Sequence, residues 1–151
     1  MDCFAEDIAQ NLEQIQRFNK KLDTMKDILS EKFDTKEMTF QKFNGVLQGV
    51  EQVVTINMRI ILNKISAFDY EEYTQLSTLE WNKDELAKEK MSIYQQYIDF
   101  VQKATNDNEE ILLKLDRLLL EISQYNTMED IMNMPEMIAL DKLIQNAKLY
   151  Q

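Results

Sequence analysis

A chain of 151 residues with two glycines and one proline has few means of turning sharply. Hairpins and barrels call at frequent intervals for residues that tolerate positive φ or preset φ, whereas long helices joined by few loops do not. The expected class is therefore all-α. Apolar spacing refines this to an antiparallel helical bundle of three long helices plus a short C-terminal helix, in one domain spanning 1–151.

Phe4, Ile8, Leu12, Ile15, Phe18, Leu22, Met25, Leu29 and Phe33 step by three or four, as the apolar face of an amphipathic helix does. Glu13, Gln14, Arg17, Asn19 and Lys20 fall between them as a solvated face. Asp34-Thr35 supplies a turn and a candidate N-cap for the next helix. That helix carries Phe40, Phe43, Leu47, Val50, Val54, Met58, Ile61, Ile65 and Phe68 at the same spacing. The short connection makes the first two helices antiparallel neighbours.

The stretch Phe43–Phe68 has an apolar arc of more than half its circumference and holds both glycines. It is expected to be the most buried helix and the centre of the fold. Gly45 and Gly49 lie at one margin of the arc, beside Val53, Ile56 and Ile60. A glycine inside a helix costs about 1 kcal/mol against alanine, so two of them point to a packing reason. Close helix packing within the bundle is the leading reading, a dimer interface the second, and a ligand against bare backbone the third. The Gly-x-x-x-Gly spacing is diagnostic mainly in membrane helices.

Asp69 to Glu80 is the longest irregular candidate, with a helical portion over Tyr70–Leu76. Ser77 with Glu80, or Asn82 with Glu85, has capping-box spacing, and Asn82 is preferred because the steady pattern begins after it. The third helix follows with Leu86, Lys90, Ile93, Tyr97, Val101, Ala104, Asn108, Ile111, Leu115, Leu118, Ile122 and Tyr125. A polar patch, Thr105 to Glu110, interrupts its chemistry but not its phase. If unbroken to Tyr125, the helix is about 65 Å long and outreaches its partners; the excess must be covered by the C-terminal segment, a second subunit or water. Asn108 suits a register-setting polar contact in a coiled coil-like seam, although a local kink with solvated side chains is preferred. Thr127 with Asp130 starts a short turn, Pro135 ends or redirects it, and Asn133 with Glu136 caps a last helix carrying Met137, Leu140, Ile144 and Ala147.

The chain has no histidine and one cysteine, Cys3. Those counts exclude Glu-x-x-His di-iron sites, ordinary zinc sites and His-dependent nucleophilic catalysis within the chain. Glu71-Glu72 and Glu109-Glu110 fall where side chains are solvated, and no EF-hand spacing occurs. No metal, cofactor or catalytic residue is expected. Glu51 on the most apolar helix reads as part of its one solvated stripe. The formal charge of −10 repels phosphate backbones and anionic headgroups, so neither nucleic acid nor membrane is an expected partner. The N-terminus lacks a signal-peptide pattern and no apolar run is long enough to span a bilayer, which predicts a soluble, cytoplasmic protein.

Methionines cluster near the C-terminus, Met128 and Met132 among them. Flexible thioethers can form an adaptable binding surface or seal the end of a bundle. The residues expected to pack helices or form an interface are Gly45, Gly49, Val53, Ile56, Ile60, Asn108, Met128 and Met132. The functional expectation is a non-enzymatic helical interaction or assembly module, adaptor- or export-chaperone-like, pairing with a protein partner or with itself as a homodimer. The second expectation is a small-molecule-binding bundle with a pocket lined by Phe40, Phe43, Tyr94 and Tyr97.

Overall fold

A computed structural model describes residues 3–79 and 81–149, with the side chains of residues 81, 148 and 149 left aside. Every regular element among the described residues is a helix. They are α1 (Ala5–Lys32), α2 (Met38–Ala67), α3 (Tyr70–Thr78), a 3-10 turn (Trp81–Lys83), α4 (Glu85–Glu121), a second 3-10 turn (Ile122–Gln124), α5 (Met128–Met132) and α6 (Pro135–Leu149). The all-α expectation holds.

Short oxygen-bearing side chains start three of these helices by accepting their free N–H groups. Asp69 accepts from the N–H of Glu72 at 3.1 Å, and Thr127 from that of Asp130 at 3.1 Å, as expected. Asp84, not Asn82, caps α4 by accepting from the N–H of Leu86 at 3.0 Å, because Asn82 is spent in the preceding 3-10 turn. Ser77 lies inside α3, and Glu80 lies outside the described residues. Asp34 closes a turn by accepting from the N–H of Lys36 at 2.9 Å, and α2 begins only at Met38. Asn133 ends α5 instead of capping α6, which opens on Pro135. A proline is favoured there because its missing N–H would have no partner.

Cross-helix pairs fix the directions. Gln14 meets Thr105 and Glu109, Lys21 meets Asp116, and Lys32 reaches the carbonyls of Ser123 and Tyr125. α1 and α4 therefore run parallel. α2 runs against both, pairing Asn57 with Asn108 and Phe68 with Tyr94. α6 lies in the groove between α2 and α4, with Ile144 over Gly49 and Ala147 near Asn57 and Asp107.

Two expectations are corrected here. α1 and α2 are antiparallel, but each takes α4, not the other, as its close backbone neighbour. The hub of the fold is likewise α4 rather than the glycine-bearing α2, since α1, α2, α3, α6 and both 3-10 turns pack on it. The physical reason is length: α4 has 37 residues against 28 and 30 in α1 and α2, enough to offer a flank to each. Its N-terminal overhang is covered by α3, through a Lys90–Glu72 ion pair at 3.6 Å and an edge-to-face contact of Tyr73 with Tyr94, ring centres 5.9 Å apart.

The core has two parts. The larger gathers Phe18, Met25, Leu29, Phe43, Leu47, Val50, Ile111, Leu115, Leu118, Ile131 and Leu140. The smaller holds Phe4, Ile61, Phe68, Tyr94, Val101 and Ala104. Phe68 is the centre of an aromatic group, 4.9 Å from Phe4, 5.0 Å from Tyr94 and 5.2 Å from Tyr73. Edge-to-face contacts of this kind add to what burial alone contributes.

Candidate interaction surface

Between the two core clusters lies a layer of buried polar side chains: Asn11 and Gln14 from α1, and Thr105 and Asn108 from α4. Asn57 donates to Asn108 Oδ1 at 3.0 Å, Asn108 Nδ2 donates to Gln14 Oε1 at 3.5 Å, and Gln14 donates to the Thr105 carbonyl at 3.0 Å. Thr105 donates to Asn11 Oδ1 at 3.3 Å, and Asn11 Nδ2 is left without an acceptor. These bonds remove the need for solvation, so α4 runs unbroken through the polar patch. Asn108 is therefore a buried cross-helix contact, and the kinked reading of this segment falls.

The layer also changes which face of α1 is inside. Gln14, expected in solvent, is buried, whereas Leu12 and Ile15 are 59% and 38% exposed. Facing α1, Thr105 and Asn108 present buried polar groups that Gln14 can satisfy and Leu12 and Ile15 cannot, and a buried polar group left unpaired costs about 1–3 kcal/mol. At the margin of the layer, Arg17 donates to Glu109 at 3.0 Å. Burial pushes the Glu109 carboxyl up, but hydrogen bonds from Gln14, Gln10 and Arg17 and the guanidinium charge outweigh it and hold it below the ordinary value of 4.5. In the smaller cluster, burial first and then the hydrogen bond and charge of Glu72 push the Tyr94 phenol up to about 12.

The expected interface residues do not form one surface. Gly49 is the close-packing glycine: a Cβ there would stand 2.7 Å from Ile144 Cδ1. Gly45 has nothing within 4 Å of the same position, so the paired reading holds for one of the two. Both line an open groove of about 730 Å³ between α2 and α6, together with Met132. Val53 is buried, and Ile56 and Ile60 are half-buried. Met128 is buried with Ile131, Met134 and Met137 in the larger cluster, where the methionines seal the end of the bundle. The four aromatics proposed to share a pocket are separated: Phe40 and Phe43 belong to the larger cluster, Tyr94 and Tyr97 to the smaller. The polar layer stands between them, so that pocket does not form.

A surface missed from sequence lies on α4 above the end of α6. Leu86, Ile93 and Phe100 repeat every seven residues and are 62%, 52% and 40% exposed, although their phase had placed the first two in the core. At about 100° per residue they occupy the same flank as Ile111 and Leu118, which are fully buried. Among the described residues α6 covers that flank beside Ile111, as far as Ala147 at the level of Lys103. The groove between α2 and α4 continues without it, as an opening of about 510 Å³ that includes Lys64, Ile93, Tyr97 and Phe100. Lys64 Nζ sits 5.4 Å from the Tyr97 ring and 5.1 Å from the Phe100 ring, and among the described residues it pairs with no carboxylate. The sequence signal was available: a heptad of Leu, Ile and Phe about 100° round the helix from Tyr94 and Val101.

Among the described residues no helix is long and apolar enough to cross a membrane, and no group of three or more His, Cys, Asp or Glu is placed to hold a metal ion. No protein family, curated protein or solved structure matches the chain.

Proposed function

We propose that this chain is a helical protein-interaction module that receives a partner's helix in the upper part of the α2–α4 groove, in line with α6. The observation that carries the reading is the uncovered heptad Leu86–Ile93–Phe100, continuous with the flank that α6 fills lower down. Helix-in-groove recognition uses an apolar stripe read at helical spacing, and α6 already does this within the chain through Met137, Leu140 and Ile144. Lys64 adds the charge requirement. A cation held over two aromatic rings at the rim of an apolar groove favours a carboxylate arriving on the margin of the incoming stripe. The partner is thus an amphipathic helix with aliphatic side chains on a heptad and an acidic margin.

A fluorescent peptide built to that pattern, with leucine every seventh residue and glutamate on one margin, tests the reading by anisotropy. Saturable binding is expected, weakened by Phe100→Ser and by Lys64→Glu, and weaker for the same peptide with a lysine margin. Absence of binding, or binding indifferent to both substitutions, would sink it.

A further inference from the structure

We infer that the helix received by this groove lies parallel to α2 and antiparallel to α4, with an acidic first turn on Lys64 and a lysine or arginine, two to three turns later, on Glu89. The inference rests on the groove-docking reading above and adds the partner's polarity and its second charge.

The charges left free along the groove carry it. On the heptad flank of α4, Glu85 is paired with Lys88 at 3.4 Å, Asp99 accepts from Gln95 at 2.8 Å, and Lys103 is paired with Asp107 at 3.2 Å. Glu89 is the exception. At about 100° per residue it falls beside Ile93 and Phe100; it is exposed, and among the described residues it has no ion-pair partner. From α2, Lys64 is held over the Tyr97 and Phe100 rings. Glu89 precedes Tyr97 by eight residues and Phe100 by eleven, so the two free charges stand about 12–17 Å apart along α4 at 1.5 Å per residue. The groove is therefore negative towards Leu86 and positive towards Phe100.

An occupant that satisfies both charges carries an anion at the Phe100 end and a cation at the Leu86 end. Either polarity allows this, and the helix dipole separates them. Acidic side chains in the first turn and basic ones in the last complement the partial charges of the helix ends, whereas the reverse order adds to them. A segment that folds as it docks is thus more stable with the acid first and the base last. That order puts its N-terminus at Phe100 and its C-terminus at Leu86. α6 already runs in the same sense along this groove, from Ile144 over Gly49 to Ala147 near Asn57.

Paramagnetic broadening of backbone amides, measured by NMR on the full chain, tests the polarity. The probe is a peptide with leucine every seventh residue, glutamate in its first turn, lysine eleven residues later and a nitroxide at its N-terminus. When bound, it should broaden residues 97–103 most strongly and residues 86–89 least. Glu89→Lys should weaken its binding about fivefold, and a peptide with glutamate in place of that lysine should recover the loss. Strongest broadening at residues 86–89 overturns the polarity while helix docking stands. Binding indifferent to Glu89→Lys overturns the second charge contact. Absence of binding by this peptide and by the glutamate-margin peptide above overturns helix docking itself.

Discussion

Gly45 and Gly49 share a helix and a residue type but not a role. At Gly45 a methyl group meets no atom within 4 Å, so Gly45→Ala should stabilise the fold by about 0.5–1 kcal/mol through helix propensity and a less free unfolded chain. At Gly49 the methyl stands 2.7 Å, 3.1 Å and 3.2 Å from three atoms of Ile144. Gly49→Ala should therefore gain less than Gly45→Ala or lose stability, and should recover the full gain in an Ile144→Ala background. Urea denaturation of the four variants measures this; equal gains at both glycines would show that Ile144 yields freely. A second residue-scale lesson is Gln14. Its polarity assigns it to solvent, yet its amide joins Asn108 to the Thr105 carbonyl inside the bundle. No property of Gln14 alone separates it from Gln10 or Gln16, because burial is decided by what α4 presents opposite.

Among the elements, α3 shows how a short helix is held by a longer one. None of its residues is buried, and it stays in place through Tyr73 on Tyr94 and Glu72 on Lys90 and Tyr94. The Tyr94 phenol, pushed from 10.0 to about 12 by burial and by Glu72, makes this attachment sensitive to alkali. A raised pKa contributes stability that is fully present below 10 and is lost as the pH rises through about 12. Thermal melts should show that loss in the wild type and a smaller one in Tyr94→Phe; identical alkaline profiles would place the sensitivity elsewhere. The existence of α1, α2, α4 and α6 was legible in the three- and four-residue steps, and the start of α5 in Thr127 and Asp130. The start of α4 was misplaced by two residues because Asn82 and Asp84 are both good caps, and only the 3-10 turn of residues 81–83 chooses between them.

At the scale of the whole molecule, the polar layer divides the core into unequal parts. The smaller cluster around Phe68 and Tyr94 buries far less apolar surface than the cluster around Phe43 and Leu115, and local opening follows buried apolar contact. Backbone amides of residues 90–104 should exchange with solvent before those of 108–118. Uniform exchange along α4 would mean that the layer does not separate two cooperative units. By itself, the sequence determined the helical class and most of the larger core, because scarce glycine and proline and a steady apolar period act locally. Only the tertiary structure decided that α4 is the hub, that α1 lies parallel to it, and that Leu86, Ile93 and Phe100 face outward while Asn11 and Gln14 face in. Helical period tells which residues share a side. It is the relative lengths of α4 and α6, and the amides that meet between α1 and α4, that determine which side is covered.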